Sequence, residues 1–342
     1  MMKILLTATV VTASLLTVSQ SHESHKHAPK GKAVTEVIRS GQKEFTYETV
    51  PGFGVIPDGK KLGPTHGGVA VDKNGLIYVS TDGKQSIAVF KEDGTFVKAM
   101  SPELLGVHGL HMVTEGDKQF LYCAQLKKNR VVKLDLDGKV LLTIPNENTG
   151  EIPGGTKGLT AVAVAPDGSI FVSMGYGSNK IHKFDKVGKI IKSWGSPGKD
   201  DKQFRTPHGL GIDLRFDKPR LLVCDREKRR LVHFDLEGNW IGVHATDLRR
   251  PCAISFHGNH VAIAELEARV AIVNKEGKVV SVVGDNPNKK QWANFRVPAT
   301  DQKPGIFTAP HGLSFDKNGN LYVQDWNATG RVTKLKLLKT TD

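Results

Sequence analysis

The sequence predicts an all-β fold, a six-bladed β-propeller, on three observations. One strand unit recurs from about residue 65 onward, six third-strand endings line up, and one orphan strand lies upstream. Each unit reads as an apolar strand, a turn with Asp, Asn or Gly, a strand of Tyr, Val and Ile, a second turn, then a strand ending in Asp-x-x-Gly or similar. Short strands at even spacing with polar turns indicate a propeller, barrel or sandwich, and six copies of one unit point to the propeller. The endings are Val89 to Gly94, Val131 to Gly138, Ile181 to Gly188, Leu231 to Gly238, Val270 to Gly277 and Val332 to Leu337. A further strand follows each of the first five, as in Lys189 to Trp194, so each repeat makes a four-stranded sheet.

The sixth repeat ends too early for its fourth strand, and Phe45 to Val50 is β-prone with no partner nearby. That segment is expected to close the ring, which removes an exposed edge and ties the first blade to the last. Ahead of it, Lys3 and the apolar run Ile4 to Val18 read as a signal peptide over 1–21, too short for a membrane span. A flexible His- and Lys-rich leader is expected over 22–43, with the propeller over 44–342. The mature chain is thus expected to be exported, periplasmic or secreted, with no membrane span and as a monomer. Cys123, Cys224 and Cys252 match no zinc-knuckle or redox spacing and read as small buried apolar residues.

The formal net charge of +13 permits anionic partners without selecting one. Its clearest basic cluster, Arg226, Lys228, Arg229 and Arg230, lacks the pattern of nucleic-acid modules, so no nucleic-acid partner is expected. No Gly-x-Ser-x-Gly elbow, P-loop or dinucleotide fingerprint is present.

Aligning the innermost strands on their apolar alternation places Gly67, His108, Thr160, His208, Cys252 and His311 at one register position. Histidine occupies it in the second, fourth and sixth blades, which lie roughly 120° apart in a six-bladed ring. Their side chains should converge on the axis, and three imidazoles with an open position suit a catalytic zinc ion. A favoured His-Gly strand opening would show no preference for alternate blades. His66 is one residue out of register and His111 is three past His108, so both should point elsewhere.

Pro207-His208-Gly, Pro310-His311-Gly and His108-Gly, with Gly175-Tyr176-Gly177 and Asp225-Arg226-Glu227, resemble the peptidylglycine α-hydroxyglycine amidating lyase family, within NHL-repeat propellers. The resemblance implies a propeller whose His108, His208 and His311 bind zinc, with Tyr176 as the base near the metal and Arg226 completing the active site. The implied reaction splits a peptidyl α-hydroxyglycine into a peptide amide and glyoxylate, so the implied partner is a small carboxylate-bearing or peptide substrate. Read without the family, Tyr176 is a turn tyrosine and Arg226 a surface ion pair with Asp225 or Glu227.

This sequence departs from the family at three places. Ser80-Thr81-Asp82-Gly83 stands where the family has a substrate-binding arginine, Gly312 stands for a calcium-ligating aspartate, and the family's disulfides are missing. Zinc is therefore the expected cofactor, and calcium is not. The alternative function is a non-catalytic NHL propeller that binds protein or polysaccharide outside the cytoplasm. A lactone-hydrolysing propeller would want axial carboxylates for calcium, where this register offers histidines.

Overall fold

A computed structural model describes residues 36–57 and 62–338, so the expected signal peptide and most of the leader lie outside the described residues. The described chain folds into six antiparallel sheets, five of four strands and one of five, and its only helical segments are short 3-10 turns. Blade 1 comprises Val69–Val71, Ile77–Ser80, Ile87–Phe90 and Phe96–Met100. Blade 2 is Val107–Glu115, Lys118–Gln125, Arg130–Asp135 and Val140–Ile144; blade 3 is Ala161–Val164, Ile170–Ser173, Ile181–Phe184 and Ile190–Trp194. Blade 4 is Pro207–Asp213, Arg220–Asp225, Arg230–Asp235 and Trp240–Ala245; blade 5 is Pro251–His257, His260–Glu265, Arg269–Val273 and Val279–Val283. Blade 6 adds Pro310–Phe315, Leu321–Asp325 and Arg331–Leu337 to two N-terminal strands. No helix among the described residues is long and apolar enough to cross a membrane.

The repeated Asp-x-x-Gly turn explains why third and fourth strands meet so regularly. Asp185 Oδ1 accepts from the backbone of Val187 at 3.0 Å and Lys189 at 2.9 Å, and Gly188 sits at φ 90°. Asp135 and Gly138 repeat the arrangement in blade 2, with Gly138 at φ 97°, a conformation that a side chain resists. Strand faces then pack blade against blade. Six apolar clusters result, each shared by two neighbouring blades, such as Ala163, Phe171 and Ile181 of blade 3 with Leu221, Val223 and Val232 of blade 4.

Phe45–Val50 pairs antiparallel with Arg331–Leu337, with Tyr47 opposite Leu337 and Val50 opposite Lys334, so the N-terminal strand closes the ring as expected. It alternates buried and half-buried residues, and sends Phe45 and Tyr47 into the cluster between blades 5 and 6. A strand precedes the segment at which the sequence places the start of the propeller. Arg39–Gln42, assigned there to the leader, forms a hairpin with Phe45–Val50. Its polar composition hid it, because the strand is held by hydrogen bonds to blade 5 and not by an apolar face. Gln42 N donates to Ser281 Oγ at 2.9 Å, Val282 N to Gln42 Oε1 at 2.7 Å, and Gly284 N to Ser40 Oγ at 3.2 Å.

Besides its apolar cluster, the seam between blades 6 and 1 carries polar ties. Thr65 and Asn327 exchange backbone hydrogen bonds at 2.9 and 3.1 Å. The buried Gln324 amide accepts from Gly67 N at 2.7 Å and donates to Ser80 O at 2.5 Å. A chain beginning at Gly52 should melt more than about 10 °C below one beginning at Glu36, because it loses two buried aromatics and leaves an open sheet edge. Thermal melts of the two truncations check this, and equal midpoints would refute the closure account.

Candidate metal centre and active site

The first strands of the six blades meet at the axis so closely that the residue after each register position is glycine or alanine: Gly68, Gly109, Ala161, Gly209, Ala253 and Gly312. A Cβ on Gly209 would lie 2.5 Å from Cys252 O, and one on Gly312 would lie 2.3 Å from Gly67 O. That proximity brings a backbone carbonyl of each odd blade to the imidazole of the blade before it. His108 Nδ1 lies 2.6 Å from Thr160 O, His208 Nδ1 2.8 Å from Cys252 O, and His311 Nδ1 3.3 Å from Gly67 O. A carbonyl can only accept, so each Nδ1 carries the proton and each Nε2 keeps its lone pair.

The three rings are buried and form a near-equilateral triangle, with centroids 4.7, 4.8 and 4.9 Å apart. Burial, reinforced by nearby positive charge, holds all three well below the usual histidine pKa, so they are neutral donors. His311 Nε2 is buried with no hydrogen-bond partner. That unpartnered lone pair and the Nε2 atoms of the other two rings, all on imidazoles oriented from behind by carbonyls, are donors of the kind that could ligate a divalent metal.

Tyr176 and Arg226 reach the same place from loops. Tyr176 follows Ile170–Ser173 in a turn where both neighbours must be small: a Cβ on Gly175 would lie 2.5 Å from Pro207 O, and one on Gly177 2.0 Å from Lys157 O. The tyrosine lies 39% exposed at the mouth, while its hydroxyl reaches inward to His208 Nε2 at 2.9 Å and His108 Nε2 at 3.4 Å. Arg226 opens the 3-10 turn after Arg220–Asp225 and donates from one terminal nitrogen to Tyr176 Oη at 3.1 Å. Its Nε donates to Glu227 at 2.9 Å, and Glu227 is gripped from the other side by Arg250 at 2.7 Å. Burial pushes the Tyr176 hydroxyl up to about 12, and Arg226 pulls against that rise.

Two further groups border the site that register alone does not disclose. His66 was expected to point away; its ring instead lies 4.7 Å from that of His108 and 4.8 Å from that of His311. Strand alternation does not govern it, because Thr65–Gly68 precedes the regular strand Val69–Val71 and is held by the bridge to Asn327. Cys252, read as a small apolar residue, is buried, but its thiol lies with the nitrogens of His208 and His311 inside a 4.8 Å cluster. His111 stays apart from the triangle and lines a separate pocket with Met112 and Ile212. His182 and His233 serve blades, bonding Ser193 at 2.7 Å and Asp213 at 3.0 Å. At the first-blade stretch 80–83, Asp82 borders with Lys127 a pocket of about 280 Å³ beside His66 and His108.

Gly209→Ala should displace the Cys252 carbonyl, lower the melting temperature by roughly 3–10 °C, and free His208 from its fixed tautomer. Nitrogen-15 NMR of the ring checks this: His108 and His311 should keep their protonated Nδ1, and an unchanged His208 signature would refute the anchoring.

No protein-family profile matches the chain. In sequence it is 28% identical to rat peptidylglycine alpha-amidating monooxygenase over 67% of this chain and 23% of that protein. It is 24% identical to a probable peptidyl-alpha-hydroxyglycine alpha-amidating lyase of Caenorhabditis elegans, over 68% of this chain and 64% of the relative. A Drosophila melanogaster peptidyl-alpha-hydroxyglycine alpha-amidating lyase is 26% identical over 52% and 42%. The chain thus spans about a quarter of the length of the mammalian relatives it matches. Among solved structures, a streptogramin B lyase aligns with TM-score 0.54 at 14% identity, covering 88% of this chain and 98% of that one. Virginiamycin B lyase from Staphylococcus aureus aligns with TM-score 0.56 at 13% identity, covering 89% and 100%. The sequence relatives support a lyase-like family for this chain, and the solved structures share its propeller fold.

Proposed function

We propose that the chain is a zinc-dependent carbon–nitrogen lyase that splits a peptidyl α-hydroxyglycine into a peptide amide and glyoxylate, outside the cytoplasm. The observation that carries this reading is the meeting of three neutral, carbonyl-anchored imidazoles with the Tyr176 hydroxyl and the Arg226 guanidinium at one point on the propeller axis. His108, His208 and His311 would hold the ion through Nε2. Zinc in such a site supplies Lewis acidity that lowers the proton affinity of a carbinol oxygen.

The residues of this chain divide the remaining work. Tyr176 Oη accepts the carbinol proton; the electron pair of that O–H bond forms the new carbonyl, and the carbon–nitrogen bond breaks with its pair going to nitrogen. The leaving amide nitrogen takes that proton from Tyr176, which restores the phenolate and balances the reaction. Since burial disfavours the phenolate, Arg226 is the protein cation that favours it, and Glu227 with Arg250 fixes where that cation stands. Arg226 is also the guanidinium at hand for the substrate carboxylate. With no first-blade arginine to share that task, substrate binding is expected to be weak, by about 1.5–3 kcal/mol for one lost charge-assisted contact.

The purified chain should hold about one divalent ion, and replacing His108, His208 and His311 together by alanine should remove it. Elemental analysis decides the point, and undiminished metal in the triple variant would sink the ligand assignment. Glyoxylate release from a synthetic α-hydroxyglycine peptide should be metal-dependent, with a high KM. Tyr176→Phe should cut kcat by about 100-fold or more without loss of metal, whereas Arg226→Ala should impair both kcat and KM. No metal-dependent release at high substrate concentration would instead favour a binding propeller.

A further inference from the structure

His66 takes no part in that reaction, yet its imidazole forms one wall of the histidine pocket. Its centroid distances to His108 and His311, 4.7 and 4.8 Å, match the spacing within the triangle itself. One ring nitrogen of His66 lies within 4.8 Å of ligand nitrogens of both His108 and His311. The backbone on either side is clamped, by the Thr65–Asn327 bridge and by the Gly67 hydrogen bond to Gln324, and the ring rests 5.7 Å from the Trp326 ring. It differs from the triangle in one respect. The other three rings are each tied by Nδ1 to a carbonyl, whereas among the described residues His66 makes ring contacts only.

We infer that His66 is a fourth nitrogen donor to the same ion, and the one that gives way when an oxygen donor of the substrate arrives. The inference rests on the proposed metal site. Three anchored imidazoles are preorganised for the metal and costly to move, while an imidazole with no carbonyl behind it can leave by rotating about its own side-chain bonds. Four nitrogens would fill a four-donor site against adventitious ligands, and departure of His66 would leave the open position that catalysis requires. Cys252 is the competing fourth donor. Its thiol is directed to the Arg250 carbonyl at 3.6 Å, so it is engaged where His66 is not.

Cobalt(II) binding to the metal-stripped full chain tests this without any substrate. Wild-type protein should give the intense visible bands of a four-coordinate nitrogen site. His66→Ala should still bind cobalt, with altered bands and an affinity about tenfold or more weaker in chelator competition. Free imidazole should restore the wild-type spectrum in that variant, a rescue that a merely structural role for His66 would not show. Cobalt spectra and affinity unchanged in His66→Ala, in a protein whose His208→Ala variant loses the metal, would overturn the fourth-donor assignment and leave the three-histidine site intact. Retention of cobalt by His208→Ala would overturn the site itself, and the fourth donor with it.

Discussion

The close approach of six strands at the axis is the constraint from which the rest of the centre follows. At Gly209 and Gly312 even a methyl side chain would strike the backbone of the next blade, as the 2.5 Å and 2.3 Å distances show. Because the strands come that near, a carbonyl of blades 3, 5 and 1 is always within reach of the ring in blades 2, 4 and 6. Ring orientation is therefore written into the backbone. The alternation has a physical meaning: even blades contribute the imidazole, and odd blades contribute its acceptor with a side chain small enough, Gly67, Thr160 or Cys252, to leave room.

Around this neutral centre the charges are arranged in relay. Arg226 is the cation nearest Tyr176, and Glu227 holds it against Arg250, so the guanidinium is fixed by an ion-pair chain. Asp225, wholly buried, receives the Arg205 amide at 2.8 Å and Arg230 at 2.9 Å, which pins the strand end from which Arg226 departs. Removing one member leaves a buried charge without its partner, and that costs more than the pair itself contributes.

The blade count, the closing strand and the three axial histidines were legible because each is a periodic signal: one unit recurring, one register shared. Those readings needed only alternation and turn chemistry. His66 was not legible, since its segment is positioned by a bridge to Asn327, more than 250 residues away in sequence, and not by a strand ladder. Arg39–Gln42 escaped notice for a related reason, being held by hydrogen bonds to Ser281 and Val282 instead of by an apolar face. Tyr176 and Arg226 occupy a middle ground. The residues alone suggested a turn tyrosine and an ion-paired arginine, and both descriptions hold: Gly175 and Gly177 do pack on backbone, and Arg226 does pair with Glu227. Only the resemblance to a family gave them a shared destination.

Closure of the ring by the N-terminal strand has a consequence for the order in which the molecule can assemble. Phe45–Val50 is the second of the described strands in chain order, and its partner Arg331–Leu337 is the last. Blades 1 to 5 can form as they emerge, each from contiguous sequence. Blade 6 cannot, and neither can the seam that sets His311 against Gly67. The nascent chain must therefore carry an unpaired strand and two of its axial imidazoles, those of His108 and His208, in an open ring. The third imidazole arrives with blade 6, so the three axial rings come together only after all six blades have been made.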